Sequence, residues 1–247
     1  MAEDRYVGVA WSEESWLAVA FSPGGHEETT VFDGIGECWA RYEEDARRIL
    51  VDVPVGLVES GDPVRRCDDL ARSVLGSRAT AVADPPVREA TRKRRYSTAN
   101  RVHERKAGER LAEAAFDLSD GIAMCDELLQ EVPEAAATIR EAHPELCFRA
   151  FAGEPLEHAA TTAAGYAERM RTLARHDRDA PPVVQKVAEA TAGHDVSVPD
   201  VLDAVALAYT ARPSDGDLRT LPPEPPTDAT GLPMELVYRS AAPLVTV

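Results

Sequence analysis

The chain has 247 residues, 44% of them hydrophobic, enough to bury a full core as one large domain or one domain carrying an elaborated insertion. No uninterrupted apolar run approaches the roughly 20 residues that cross a bilayer, and "MAEDRYVGVAW" lacks the basic flank and apolar stretch of a signal peptide, so a cytoplasmic chain with no membrane partner is expected. The net charge of −16 rests on 43 acidic and 27 basic residues, of which only Lys93, Lys106 and Lys186 are lysines; this acidic, lysine-poor make-up suits a high-salt cytoplasm and points to a halophilic, archaeal source, so it does not exclude a nucleic-acid partner.

In chain order, "RYVGVAW", "SWLAVAFS" and "ETTVFD" read as three short strands of an antiparallel meander. A helix from about Gly36 to Arg48 leads into the strand "ILVDVPVGL". From 61 to 130 the pattern turns helical, with "DPVRRCDDLARSVLG", "PPVREATRKRRY" and "VHERKAGERLAEAAFDLSDGIAMCDELLQ" as successive segments. A short strand follows near "TIREAH", then helices near "TTAAGYAERMRTLARH" and "PPVVQKVAEAT", the strong helix "VPDVLDAVALAYTAR", and a terminal strand in "LPMELVY". Cys38, Cys67, Cys125 and Cys147 are scattered without a CxxC pair, which argues for buried thiols rather than a zinc site or disulfides.

Asp52 sits in a run that otherwise reads as a strand covered on both faces, ended by Pro54 and Gly56. An ionised carboxylate there needs a cation, a metal or several N–H donors, so it marks a site or, alternatively, a turn shaped by its hydrogen bonds. Asp203 poses the same question within an apolar helix. Asp200, three residues earlier, shares its face and also suits an N-terminal cap. Glu141 and His143 alternate on one face of their strand, where His143 reads either as a ligand or as a hydrogen-bonded core histidine.

Three antiparallel strands, a helix, a buried strand with one Asp, then a further strand and helix with carboxylates is a ribonuclease-H-like order, which predicts a mixed five-stranded sheet ordered 3-2-1-4-5. The whole of 1–247 then forms a single domain, with 61–130 as a helical, Arg-rich insertion between strands four and five. At "EAHPELCF", together with "VDVPVGL", "RRCDDLARSVLGSRAT" and "DVLDAVALAYTA", the chain resembles domain-of-unknown-function family 429, whose members are regarded as predicted nucleases of ribonuclease-H-like fold. The resemblance runs from the first strand through Ala211. It implies that Asp52, Glu141 and Asp203 occupy the family's acidic positions and that His143, Pro144 and Glu145 match its "HPE" signature. Family members commonly read "GvDg" in the first strand, whereas this chain reads "GVAW", with Ala10 where an acidic metal ligand is expected.

If Asp52, Glu141 and Asp203 converge, with Asp200 beside them, they make an oxygen-rich pocket suited to Mg2+ or Mn2+. The ion would activate water and neutralise charge on a phosphodiester oxygen, with His143 at the rim. The missing carboxylate at Ala10 argues for one metal or an impaired site. Positive charge gathers in "REATRKRRYSTANRVHERKAGER", where Arg92, Arg94 and Arg95 could grip phosphates and Tyr96 stack on a base. Arg65, Asp68, Arg72 and Arg78 precede it as further substrate-binding candidates; a solvated helix laced by Glu–Arg pairs is the plainer reading of both runs. The expectation is a metal-dependent nuclease or phosphodiesterase acting on nucleic acid or a phosphorylated small molecule. The alternatives are a non-catalytic module binding nucleic acid, a phosphate ligand or protein, and a kinase-like phosphotransferase of related fold.

Overall fold

The structure, a computed structural model, describes residues 4–245. Strand β1 (Arg5–Ser12) is apolar on both faces because both are covered. Val7, Val9 and Trp11 face one apolar layer, and Ala10 the other. It pairs antiparallel with β2 (Ser15–Ser22), which pairs antiparallel with β3 (Gly25–Phe32). On its other side β4 (Ala46–Val51) runs parallel to β1, and β5 (Ile139–Glu141) parallel to β4. The sheet order is β3-β2-β1-β4-β5, the ribonuclease-H-like arrangement that the sequence implied.

Helix α1 (Ile35–Tyr42) is shorter than its pattern; Glu43 to Asp45 form a turn, and Ala46 to Arg48 belong to β4 instead. Glu43, Glu44 and Asp45 follow the last turn, and three acids there oppose the negative end of the helix dipole. Between β4 and β5 come α2 (Arg66–Leu75), a 3-10 turn (Gly76–Ala81), α3 (Arg88–Thr91), α4 (Tyr96–Ala107), α5 (Glu113–Asp117), α6 (Ser119–Glu131) and α7 (Pro133–Thr138). The long helical reading from Val102 breaks at Gly108, whose φ of 81° ends α4 in a left-handed cap. Helices α3 to α5 share a small core of their own, including Val87, Ala99 and Leu111. Helix α6 does not stand apart: Ile122, Cys125 and Leu129 join α1 in covering the Trp11 face of the sheet.

The other face is covered by α8 (Pro144–Ala152), α9 (Ala163–His176), α10 (Ala180–Ala190) and α11 (Val198–Ala211). A methyl group on Gly8 would lie 2.1 Å from Ala208 N and 2.3 Å from Ala204 O, so α11 rests directly on the β1 backbone. A second sheet pairs β6 (Asp217–Leu221) with β7 (Leu236–Ser240). β7 continues the expected "LPMELVY" strand, whereas β6 escaped the pattern because only Leu221 in it is buried. Among the described residues no helix is long and apolar enough to cross a membrane.

Candidate functional site

The site begins where β1 and β4 end. Asp52 follows the last β4 residue, and its Oδ1 accepts the Trp11 N–H at 2.8 Å, tying it to the strand beside it. Burial, with Asp200 nearby, pushes the carboxyl up to about 7 against the pull of that N–H. Ala10, fully buried, packs in the layer between β1 and α11.

Because Gly8 lets α11 lie on β1, Asp203 is brought over this strand end. Its carboxyl makes no hydrogen bond and no ion pair among the described residues. Burial first, then the charges of Asp52 and Glu145, holds its pKa well above the usual carboxylate range. Asp200 completes a capping box: Ser197 Oγ accepts the Asp200 N–H at 3.4 Å, and Asp200 Oδ2 accepts the Ser197 N–H at 2.8 Å. Ser12 Oγ also donates to that oxygen at 2.8 Å, so the cap is joined to the end of β1. A recess of about 520 Å³ opens beside Asp200 and Ser12, lined also by Glu13, Glu14, Asp33 and Asp195 and by no lysine or arginine. Glu13 holds a φ of 50° in the β1–β2 turn, a conformation that costs a non-glycine residue about 1 kcal/mol or more.

Glu141 lies apart from this pair in its bonding. Arg65 Nη1 and Nη2 donate to its two oxygens at 2.7 Å each, and the Val55 N–H donates at 2.6 Å. Asp68 takes Arg65 from the other side through Nε and Nη2, both at 2.7 Å. Burial raises the Glu141 pKa against the pull of Arg65, and the group is an internal clamp on the loop that leaves β4. Arg65 and Asp68 are fully buried in that clamp and present nothing to a substrate. His143 is likewise committed: Nδ1 accepts the Glu145 N–H at 3.2 Å as the α8 cap, and Nε2 meets Ala81 O at 3.2 Å. Because Nδ1 accepts an N–H, the ring proton sits on Nε2 and points to Ala81 O; burial lowers the ring's pKa.

Two residues beside the site, Glu145 and Arg169, were not among the candidates, and only the first carried a signal. Glu145 bonds Arg169, a fully buried guanidinium of α9, and stands 3.4 Å from Arg78. Its Oε2, together with Arg78 Nε and Arg169 Nε, is buried without a hydrogen-bond partner. Glu145 belonged to the quoted "HPE", but "YAERMRT" around Arg169 has nothing to distinguish it from an exposed helix.

The arginine run is mostly consumed internally. Arg72 pairs with Asp84 at 3.0 Å and Arg92 with Asp126 at 2.7 Å, while Tyr96 donates its hydroxyl to Leu111 O at 2.7 Å. Arg88 is buried among Asp126, Asp228 and Glu59. Arg94, Arg95 and Arg101 are exposed and without an ion pair among the described residues. All four cysteines are buried free thiols.

The family described as Protein of unknown function (DUF429) matches residues 8–227, which include every carboxylate of the site. The chain belongs to this family. No curated protein and no solved structure matches it.

Among the described residues no three His, Cys, Asp or Glu side chains are gathered closely enough to cage a metal by themselves. Asp203, unbonded, and Asp52, held by the Trp11 N–H through Oδ1, nevertheless form a hard-oxygen pair without an ion pair among the described residues; Arg169 acts on Asp203 only from a distance, being paired with Glu145. That donor set fits a largely hydrated Mg2+ or Mn2+, which is commonly held by one or two carboxylates and its own waters. Glu141 and His143 are not part of it.

Proposed function

We propose that Asp52 and Asp203 hold one hydrated Mg2+ or Mn2+ ion and that the protein is a slow metal-dependent phosphodiesterase. The observation that carries this reading is Asp203, a half-buried carboxylate on an apolar helix, near enough to Asp52 to feel its charge and without a hydrogen bond of its own. A bound ion supplies a more acidic water and neutralises charge on the phosphoryl oxygen. The chain's own part is positional. The Trp11 N–H fixes Asp52, Ser12 and Ser197 fix Asp200, and Gly8 sets the depth of α11.

An acidic recess repels a phosphate backbone, so the substrate depends on that ion and on the unpaired Arg94, Arg95 and Arg101 for its approach. Nucleic acid and phosphorylated small molecules both fit, and a cytoplasmic setting belongs to the same proposal. Ala10 removes a carboxylate that would anchor a second ion, which accounts for placing the activity low. The test is cleavage of bis(p-nitrophenyl) phosphate and of labelled single-stranded and duplex nucleic acid in molar KCl with Mn2+. Cleavage that disappears in Asp203→Asn supports the proposal. No cleavage by the wild type, with metal-independent nucleic-acid binding that vanishes when Arg94 and Arg95 are replaced, makes the protein a binding module instead.

A further inference from the structure

Two recesses adjoin where α9 and α11 begin. One, of about 410 Å³, is framed by α9, α10 and α11 and has the buried side chains of Val184, Val201 and Leu202 in its wall. The other, of about 370 Å³, lies between residues 160–162 and the first turn of α11. Tyr166 and Val198 line both, 42% and 57% exposed, and form the ridge that divides them. Nine residues line the first recess and seven the second, and none is charged, in a chain of which 28% is charged. The chain alongside has the same character. From Ala159 to Ala167 it reads "AATTAAGYA", all of it exposed or half-buried except Gly165. This stretch is held firmly: Thr162 Oγ1 accepts the Gly165 N–H at 3.0 Å as the cap of α9 and donates to Ala159 O at 2.8 Å. A methyl group on Gly165 would lie 1.9 Å from that same carbonyl oxygen, so α9 and the 159–162 segment are in direct backbone contact.

Contiguous apolar surface on a charged chain marks a place of contact. We propose that this face joins two copies of the chain about a two-fold axis that passes beside Tyr166 and Val198. Shape and charge both select a second copy as the occupant. A two-fold contact uses one patch twice, so the patch must carry a ridge and also the hollow that receives it. This face has both: Tyr166 and Val198 of one copy enter the recesses of the other. Each chain carries a net charge of −16, so two copies repel wherever their acids face one another, and a face without charge is where they meet at least cost. A basic partner would go instead to the acidic recess beside Asp200. Because Thr162 and Gly165 fix the patch beforehand, little ordering entropy opposes the contact. A standard interface uses about 20–30 residues a side, so the two recesses supply its apolar centre and the dimer is reversible. The contact does not depend on an ion at Asp52 and Asp203.

The test is sedimentation equilibrium of the full chain across the micromolar range, in KCl from about 0.15 M to about 1 M. The expected result is a monomer–dimer equilibrium that tightens by about tenfold as salt rises, because screening removes the repulsion and the uncharged contact loses nothing. Val198→Asp and Tyr166→Asp set like charges against each other across the axis, and each is expected to weaken the dimer by at least about tenfold. Val64→Asp adds the same charge at a valine that is 39% exposed and outside both recesses, and is expected to dimerise as the wild type does. Val198 and Tyr166 lie close to helix N-termini, where a carboxylate is favoured, so both variants unfold at close to the wild-type temperature by circular dichroism. A chain that stays monomeric in molar KCl, association that weakens as salt rises, or Val198→Asp and Tyr166→Asp proteins that dimerise as tightly as Val64→Asp would each overturn the proposal.

Discussion

Asp52 and Glu141 both look like carboxylates stranded at strand ends, and their partners separate them. Glu141 has a buried guanidinium and an N–H donor, whereas Asp52 has one N–H and Asp203 has none. Their pH behaviour follows. A carboxyl whose folded pKa is raised favours the folded state while protonated, and that stability is lost as pH climbs from the unfolded value of about 3.9 through the folded one. For Asp52 that window ends near 7, and for Asp203 it ends well above the unfolded value. Asp203→Asn, which mimics the protonated form, is therefore expected to match the wild type near pH 4 and to be more stable at pH 8 by about 1–3 kcal/mol in chelator. Urea titrations at the two pH values check this; an equal difference at both would contradict it. Arg65→Met leaves Glu141 and Asp68 buried and unpaired, and is expected to lower stability by about 3–5 kcal/mol by the same measurement. The acid at 141 was legible as a residue needing a partner. That the partner is Arg65, 76 positions earlier, was not, because nothing local in "PVRRCDD" marks which arginine turns inward.

Elements were read best where periodicity and burial agree. Strands β1 and β2 bury most of their residues on both faces, and β4 its last three, Ile49 to Val51, so their pattern carried the sheet order. The Arg-rich stretch misled because its charges are neutralised by distant acids: Arg88 meets Asp126 and Asp228, far along the chain, so a run that looks like an exposed basic helix is partly core. Position of the site depends on one contact between elements, α11 on β1. Gly8→Ala puts a methyl 2.1 Å from the Ala208 backbone nitrogen, and backbone cannot rotate away as a side-chain tip can. A loss of about 3 kcal/mol or more is expected in denaturant unfolding, with Asp203 displaced from Asp52. A Gly8→Ala protein of wild-type stability would show that α11 rests on the sheet less rigidly than its contacts require.

For the molecule as a whole, 43 acids against 27 bases leave a repulsion that the many Arg–carboxylate pairs do not cancel. Salt weakens both the exposed pairs and the repulsion, but exposed pairs contribute only about 0–1 kcal/mol each, so the surplus charge decides the sign. The unfolding temperature is expected to rise with KCl toward about 1 M, where the screening length falls to about 3 Å. A fall over that range, followed by circular dichroism, would mean that the ion pairs dominate. The same readout reaches the central claim most directly. In molar KCl at pH 8, Mn2+ at a hundredfold its dissociation constant is expected to stabilise the wild type by about 2.7 kcal/mol. Asp52→Asn and Asp203→Asn, folded and at least as stable in chelator, should lose that gain. A wild type that Mn2+ leaves unchanged, or an Asp203→Asn protein that Mn2+ stabilises equally, would contradict the assignment of this carboxylate pair as the ion's receptor.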